Sequence, residues 1–113
     1  MYSKIQLTQL LETNPNIIFT KNNCPFCVAS TKLLDYLVAN KAIENYLVLT
    51  LDKDFDNETL RDFVTDFGWN QVGWNYPTKP QTFLQGKFVG DNKALYNSTI
   101  NQKLSSPIKN PMW

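Results

Sequence analysis

Two apolar runs of strand length flank a segment of helical period, and that order constrains the architecture more than any other feature. Ile17-Ile18-Phe19-Thr20 is a compact run of the kind shown by parallel strands buried on both faces. Tyr46-Leu47-Val48-Leu49-Thr50-Leu51 is a second strand candidate. Between them, Val28 to Asn40 sets Leu33 with Leu37, and Leu34 with Val38, one helical turn apart. Strand, crossover helix and strand make a parallel pair.

The rest of the chain extends this core. Ser3-Lys4-Ile5-Gln6 reads as a capping box that opens a helix over about 3–13, ending near Thr13-Asn14-Pro15. Asp56-Asn57 offers an N-cap to a third helix. Leu60, Phe63, Val64 and Phe67 form its stripe, and Gly68 sits at its C′ position. Trp69 to Lys79 is a long loop. Gln81 to Gln85, a turn at Gly86-Lys87, and Phe88 to Gly90 read as a tight hairpin. Asn92 caps a last helix with Tyr96, Ile100 and Leu104 on one face, and the tail from Ser105 to Trp113 is irregular. The expected fold is α/β: a four-stranded mixed sheet flanked by helices, one domain over residues 1–113.

Composition excludes several functions. With 113 residues, 42% hydrophobic and 19% charged, the chain is globular. Net charge is +1 and no Lys/Arg cluster appears, so no nucleic-acid partner is expected. No apolar run approaches the roughly 20 residues that cross a bilayer. The first residues lack the pattern of a secretory signal, which leads us to expect the reducing cytoplasm, of a cell or of an infected host. On that ground the sequon Asn97-Ser98-Thr99 is set aside. The chain has no histidine, which removes Ser-His and Cys-His pairs and Cys₂His₂ zinc sites.

The only two cysteines are Cys24 and Cys27, in Cys24-Pro25-Phe26-Cys27. With Cys24 as N-cap, Pro25 takes the first helical position, where its missing N–H costs nothing. The unpaired N–H groups of the first turn then point at the Cys24 sulfur and favour its anion. A helix N-terminus contributes about 0.3–1 kcal/mol, up to ~2. One pKa unit is about 1.4 kcal/mol, so the helix alone lowers the thiol by roughly one unit from ~8.5. Lys21 is the nearest candidate cation for a further shift, and a Cys27 hydrogen bond is another. Thiolate exchange needs no general base, which suits a chain without histidine. Cys24 is expected to attack, and Cys27, facing inward, to resolve. Two other readings stay open on the thiols alone: a structural disulfide, and half of a metal site shared between two chains.

At this point the chain resembles the glutaredoxins. Ile18 to Cys27 is similar to their strand–Lys–x–x–Cys–Pro–Tyr–Cys site, with Phe26 for the tyrosine. Thr78-Lys79-Pro80 resembles their Thr-Val-Pro, and Phe88 to Asn92 resembles the Gly-Gly turn before their last helix. The resemblance runs from Ile17 to Leu104 with the motifs in family order. It implies a thioredoxin-like fold, a cis Pro80 facing the cysteines, and glutathione as co-substrate, with no tightly bound cofactor and no metal. Lys21, Phe26, Lys79, Pro80, Asp91, Asn92 and Lys93 are the residues it places around glutathione. Lys79 replaces an apolar residue, and Lys93 stands where the family commonly has aspartate.

The implied enzyme is a monomeric, glutathione-dependent reductase of protein disulfides or glutathione mixed disulfides. The Trp69–Tyr76 loop is similar to that of bacteriophage members serving ribonucleotide reductase, which makes that enzyme a candidate substrate. Its aromatic residues either dock a partner or cover the end of the sheet. A thioredoxin-type reductase and an iron–sulfur cluster-binding module are the alternatives.

Overall fold

The computed structural model describes residues 1–101. The elements in order are α1 (Lys4–Thr13), β1 (Ile17–Thr20), α2 (Pro25–Ala39), β2 (Leu47–Thr50), α3 (Asn57–Thr65), β3 (Gln81–Leu84), β4 (Lys87–Gly90) and α4 (Asn92–Asn101). The strands form one sheet ordered β2-β1-β3-β4. β1 pairs with β2 in parallel, Ile17 opposite Leu47, as the crossover requires. β3 runs antiparallel to β1, with Ile18 opposite Thr82, and β4 antiparallel to β3.

Strand alternation divides the core in two. Ile17, Phe19 and Phe83 face α1 and α3 and pack with Leu7, Leu11, Phe55, Leu60, Phe63 and Val64. Ile18 and Leu84 face α2 and α4 and pack with Leu33, Leu34, Leu37 and Leu95. Phe19 lies edge-on to Phe55, ring centroids 5.1 Å apart, and Phe63 lies 5.3 Å from Phe83. Each fully buried phenylalanine contributes about 1.5–3 kcal/mol, so the first face carries much of the stability. Among the described residues, no helix is long and apolar enough to cross a membrane.

Local signals explain most boundaries. Ser3 and Gln6 exchange both bonds of the capping box. Asp56 caps α3 by accepting the Thr59 N–H at 2.8 Å. Beyond Thr65, the Trp69 N–H reaches Val64 O and the Gly68 N–H reaches Thr65 O. That paired closure needs a left-handed residue at Gly68, whose φ is 101°. Phe67, expected on the buried stripe, lies past the helix and is partly exposed, though it still stacks on Phe63 and Phe83.

β2 is shorter than the Tyr46–Leu51 run, and two further boundaries depart from the sequence reading. The hairpin turn is Gln85-Gly86, one residue earlier than expected. Both residues have positive φ, as a two-residue turn matching strand twist demands, and Lys87 joins β4. The cap of α4 is Asp91, whose Oδ1 accepts the Ala94 N–H at 2.9 Å, while Asn92 is the first helical residue. The buried face of α4 is accordingly Leu95, Ser98 and Thr99, and Tyr96 and Ile100 are exposed. Leu104 and the expected irregular tail, 105–113, lie outside the described residues.

Candidate active site

The end of β1 delivers the chain to the site. Thr20 Oγ1 donates to Leu49 O at 3.0 Å and fixes the last strand residue. Lys21, Asn22 and Asn23 then turn the chain, Asn23 at φ 54°, a conformation asparagine tolerates better than most residues. Cys24 is extended and caps α2, and Pro25 opens the helix. The Cys24 Sγ accepts the Cys27 N–H at 3.2 Å. Cys24 and Cys27 are joined in a disulfide with Cα atoms 5.2 Å apart, within the normal span for such a bond.

The sequence argument put Cys27 inward. The structure buries both, Cys24 being 7% and Cys27 5% exposed. The cover over Cys24 comes from the segment before β3, whose Lys79 carbonyl oxygen lies 3.7 Å from the Cys24 sulfur. The Lys79–Pro80 peptide bond there is cis, as the resemblance implied.

A groove of roughly 610 Å³ opens beside this segment. Lys21 and Phe26 line it from the α2 side, and Lys79 and Pro80 from the approach to β3. Asp91, Asn92 and Lys93 line it from the start of α4. All seven residues expected around glutathione therefore border one cavity, from three separate parts of the chain. Trp74 and Tyr76 add an aromatic wall, with Pro77 and Thr78 beside them.

The cations do not all face the groove in the same way. Lys79 Nζ donates to Pro77 O at 3.0 Å and to Asn57 Oδ1, so its side chain ties the loop to α3. Burial, and secondarily repulsion from Lys21, lower the Lys79 pKa, while Asp52 acts against the shift. Its backbone is what meets Cys24. Asp91 spends Oδ1 on the helix cap. Asn92 Nδ2 donates to the buried Ser30 Oγ at 2.8 Å and pins the start of α4 to α2. Gly90, at φ 118°, brings α4 close: a Cβ there would stand 3.2 Å from Ala94 Cβ.

The glutaredoxin family model matches residues 16–89, from the start of β1 into β4. This chain belongs to the glutaredoxin family. Glutaredoxin-1 of Rhizophagus irregularis is 28% identical over 105 residues, covering 93% of each chain. Glutaredoxin-C6 of Oryza sativa subsp. japonica is 33% identical over 87 residues, 74% of this chain and 67% of that one. A solved buckwheat glutaredoxin–glutathione complex is 26% identical with TM-score 0.66, covering 89% of this chain and 82% of that one. As a glutaredoxin with a Cys24–Cys27 pair at the start of α2, the protein is a thiol–disulfide oxidoreductase of thioredoxin-like fold. Asp91, Asn92 and Lys93 lie just past the matched residues.

Two positioning bonds escaped the sequence reading. Ser30 had a usable signal, since it is a polar residue on the inward stripe of α2 between Cys27 and Leu34. The Lys79–Asn57 bond had none, because 22 residues separate the partners.

Proposed function

We propose that this glutaredoxin is a glutathione-dependent dithiol reductase of protein disulfides and glutathione mixed disulfides, with Cys24 as nucleophile and Cys27 as resolving thiol. The observation carrying the reading is the Cys24 sulfur at the N-cap of α2, taking the Cys27 N–H, beside a groove bordered by Lys21, Lys79 and Lys93. In the reduced protein that N–H and the helix end favour a thiolate on Cys24 over one on Cys27.

The Cys24 thiolate attacks one sulfur of the substrate disulfide. That S–S bond breaks, one substrate sulfur leaves as a thiolate that takes a proton, and the other stays bonded to Cys24. Cys27, deprotonating, attacks the Cys24 sulfur and expels the second substrate thiol. The two electrons gained by the substrate are those lost in forming the Cys24–Cys27 bond, the bond present in the structure. Two glutathione molecules restore the dithiol and leave as glutathione disulfide. Glutathione brings two carboxylates and one ammonium. Lys21 and Lys93 suit the carboxylates, Asp91 the ammonium, and the main chain of Lys79 the peptide backbone. The compartment that fits this supply of electrons is the reducing cytoplasm.

Steady-state turnover of a glutathione mixed disulfide, coupled to glutathione reductase, tests the reading. Activity is expected with glutathione and not with thioredoxin reductase alone. Cys27→Ser should accumulate a peptide covalently bound to Cys24 when offered a peptide disulfide, visible by intact mass. Reduction by thioredoxin reductase with indifference to glutathione overturns the glutathione assignment.

A further inference from the structure

We infer that the Trp69–Tyr76 loop is a docking wall for an extended, acidic polypeptide segment that carries the disulfide to be reduced, with an apolar side chain of that segment seated on Trp74. The inference rests on the reductase reading above and adds its substrate class.

The loop is built in two parts. Trp69 packs on the core formed with α1 and α3 and anchors one end. The chain then turns at Gly73, φ 85°, with the Trp74 N–H reaching Gln71 O at 3.2 Å. This presents Val72, 93% exposed, and Trp74, 55% exposed. Tyr76 is braced by the Arg61 guanidinium, 5.5 Å from its ring centroid. Across the groove Phe26 is 65% exposed. Phe26, Trp74 and Tyr76 thus border one groove with much of their apolar surface in water, and Val72, two residues before Trp74, extends the exposed face of the loop.

Glutathione does not account for them. Its groups are two carboxylates, an ammonium, two peptide units and a thiol, and none of these is an apolar side chain for Trp74 or Val72 to cover. A protein segment supplies such a side chain. Charge selects the segment's character. Lys21, Lys79 and Lys93 border the groove, whereas among the described residues Asp91 is the one acid lining it, and the charge of Arg61 behind Tyr76 is matched by its ion pair with Asp62. A partner with Asp or Glu beside its cysteines is complementary. Its extended form follows from the floor: Thr78 to Pro80 precede Gln81, the first β3 residue paired with β1, and their main chain passes the Cys24 sulfur. An extended strand laid there pairs backbone to backbone and sends alternate side chains to the two walls.

The test compares kcat/KM on two substrates, both with glutathione as reductant. One is a synthetic peptide with an internal disulfide, aspartates on both flanks and a tryptophan beyond the second cysteine. The other is the mixed disulfide of glutathione and cysteamine. Trp74→Ala should lower the ratio of peptide to mixed-disulfide kcat/KM about tenfold, the scale of a central aromatic contact, and Trp74→Phe should keep most of it. Replacing the peptide's aspartates by asparagines, or raising the salt, should also lower the ratio. A ratio unmoved by Trp74→Ala, equal losses on both substrates, or an asparagine peptide reduced equally well each overturn the inference. Wild type active on the mixed disulfide alone also overturns it and leaves the reductase reading intact. Wild type inactive on both overturns the reductase reading itself.

Discussion

Asn92→Ala is expected to destabilise the protein through a residue it leaves behind. Ser30 is fully buried on α2, and Asn92 Nδ2 donates to its hydroxyl at 2.8 Å. Removing the amide strands that fully buried oxygen. An unsatisfied buried group costs about 1–3 kcal/mol. A serine hydroxyl in a helix can turn to a carbonyl of the preceding turn, which sets the expectation at about 1–2 kcal/mol. For a chain of this size that is roughly 5–10 °C in Tm. Ser30→Ala is milder, below about 1 kcal/mol, because Asn92 is only half-buried and water can take its amide. The double variant should resemble Ser30→Ala, since the hydroxyl is gone, giving a coupling energy equal to the Asn92→Ala cost, about 1–2 kcal/mol. Urea unfolding of the four proteins measures the cycle. Additivity within about 0.3 kcal/mol means that the two side chains do not support one another, and the reasoning fails.

Gly90→Ala combines a left-handed φ with a Cβ 3.2 Å from Ala94 Cβ. A loss of about 1–3 kcal/mol is expected in urea unfolding. Lys79→Met keeps the stem and deletes the bonds to Pro77 O and Asn57. Because burial already disfavours the ammonium, the expected net loss is under about 1.5 kcal/mol, read from the urea midpoint, and a gain in stability would show that the tether contributes nothing. Asp56 caps α3, and the Thr59 backbone N–H holds its carboxyl below the ordinary range. The unfolded chain therefore binds this proton more readily, so the contribution is present above the ordinary carboxylate value of about 3.9 and fades as pH falls through the folded value. Asp56→Asn, which still caps, should flatten that part of the acid-unfolding profile, and unchanged curvature would contradict the assignment.

The sequence was most legible where one residue type answers a local need. Pro25 after Cys24 marked the start of α2 because proline lacks the N–H a first turn cannot pair. Ser3 and Asp56 marked their caps in the same way. The crossover between two apolar runs gave the parallel pair. The errors came where neighbours compete for one role. Asp91 and Asn92 both cap well, and the geometry after Gly90 decided for Asp91. Gln85 took the left-handed turn position that the sequence reading gave to Gly86 and Lys87, since the register of Leu84 opposite Lys87 leaves two residues between the strands. The burial of Cys24 was not legible, because its cover arrives from Lys79, 55 residues away. The groove as a whole was legible only through motif order, since spacing alone cannot bring Lys21, Pro80 and Lys93 together.

The central claim is that the fold stabilises a thiolate on Cys24 by the first turn of α2. Titration of thiolate ultraviolet absorbance in reduced Cys27→Ser and Cys24→Ser proteins measures each sulfur by itself. Cys24 is expected at least one unit below a free thiol's ~8.5, and Cys27 above Cys24. A Cys24 value at or above that of a free thiol, or a Cys27 value below that of Cys24, contradicts the account.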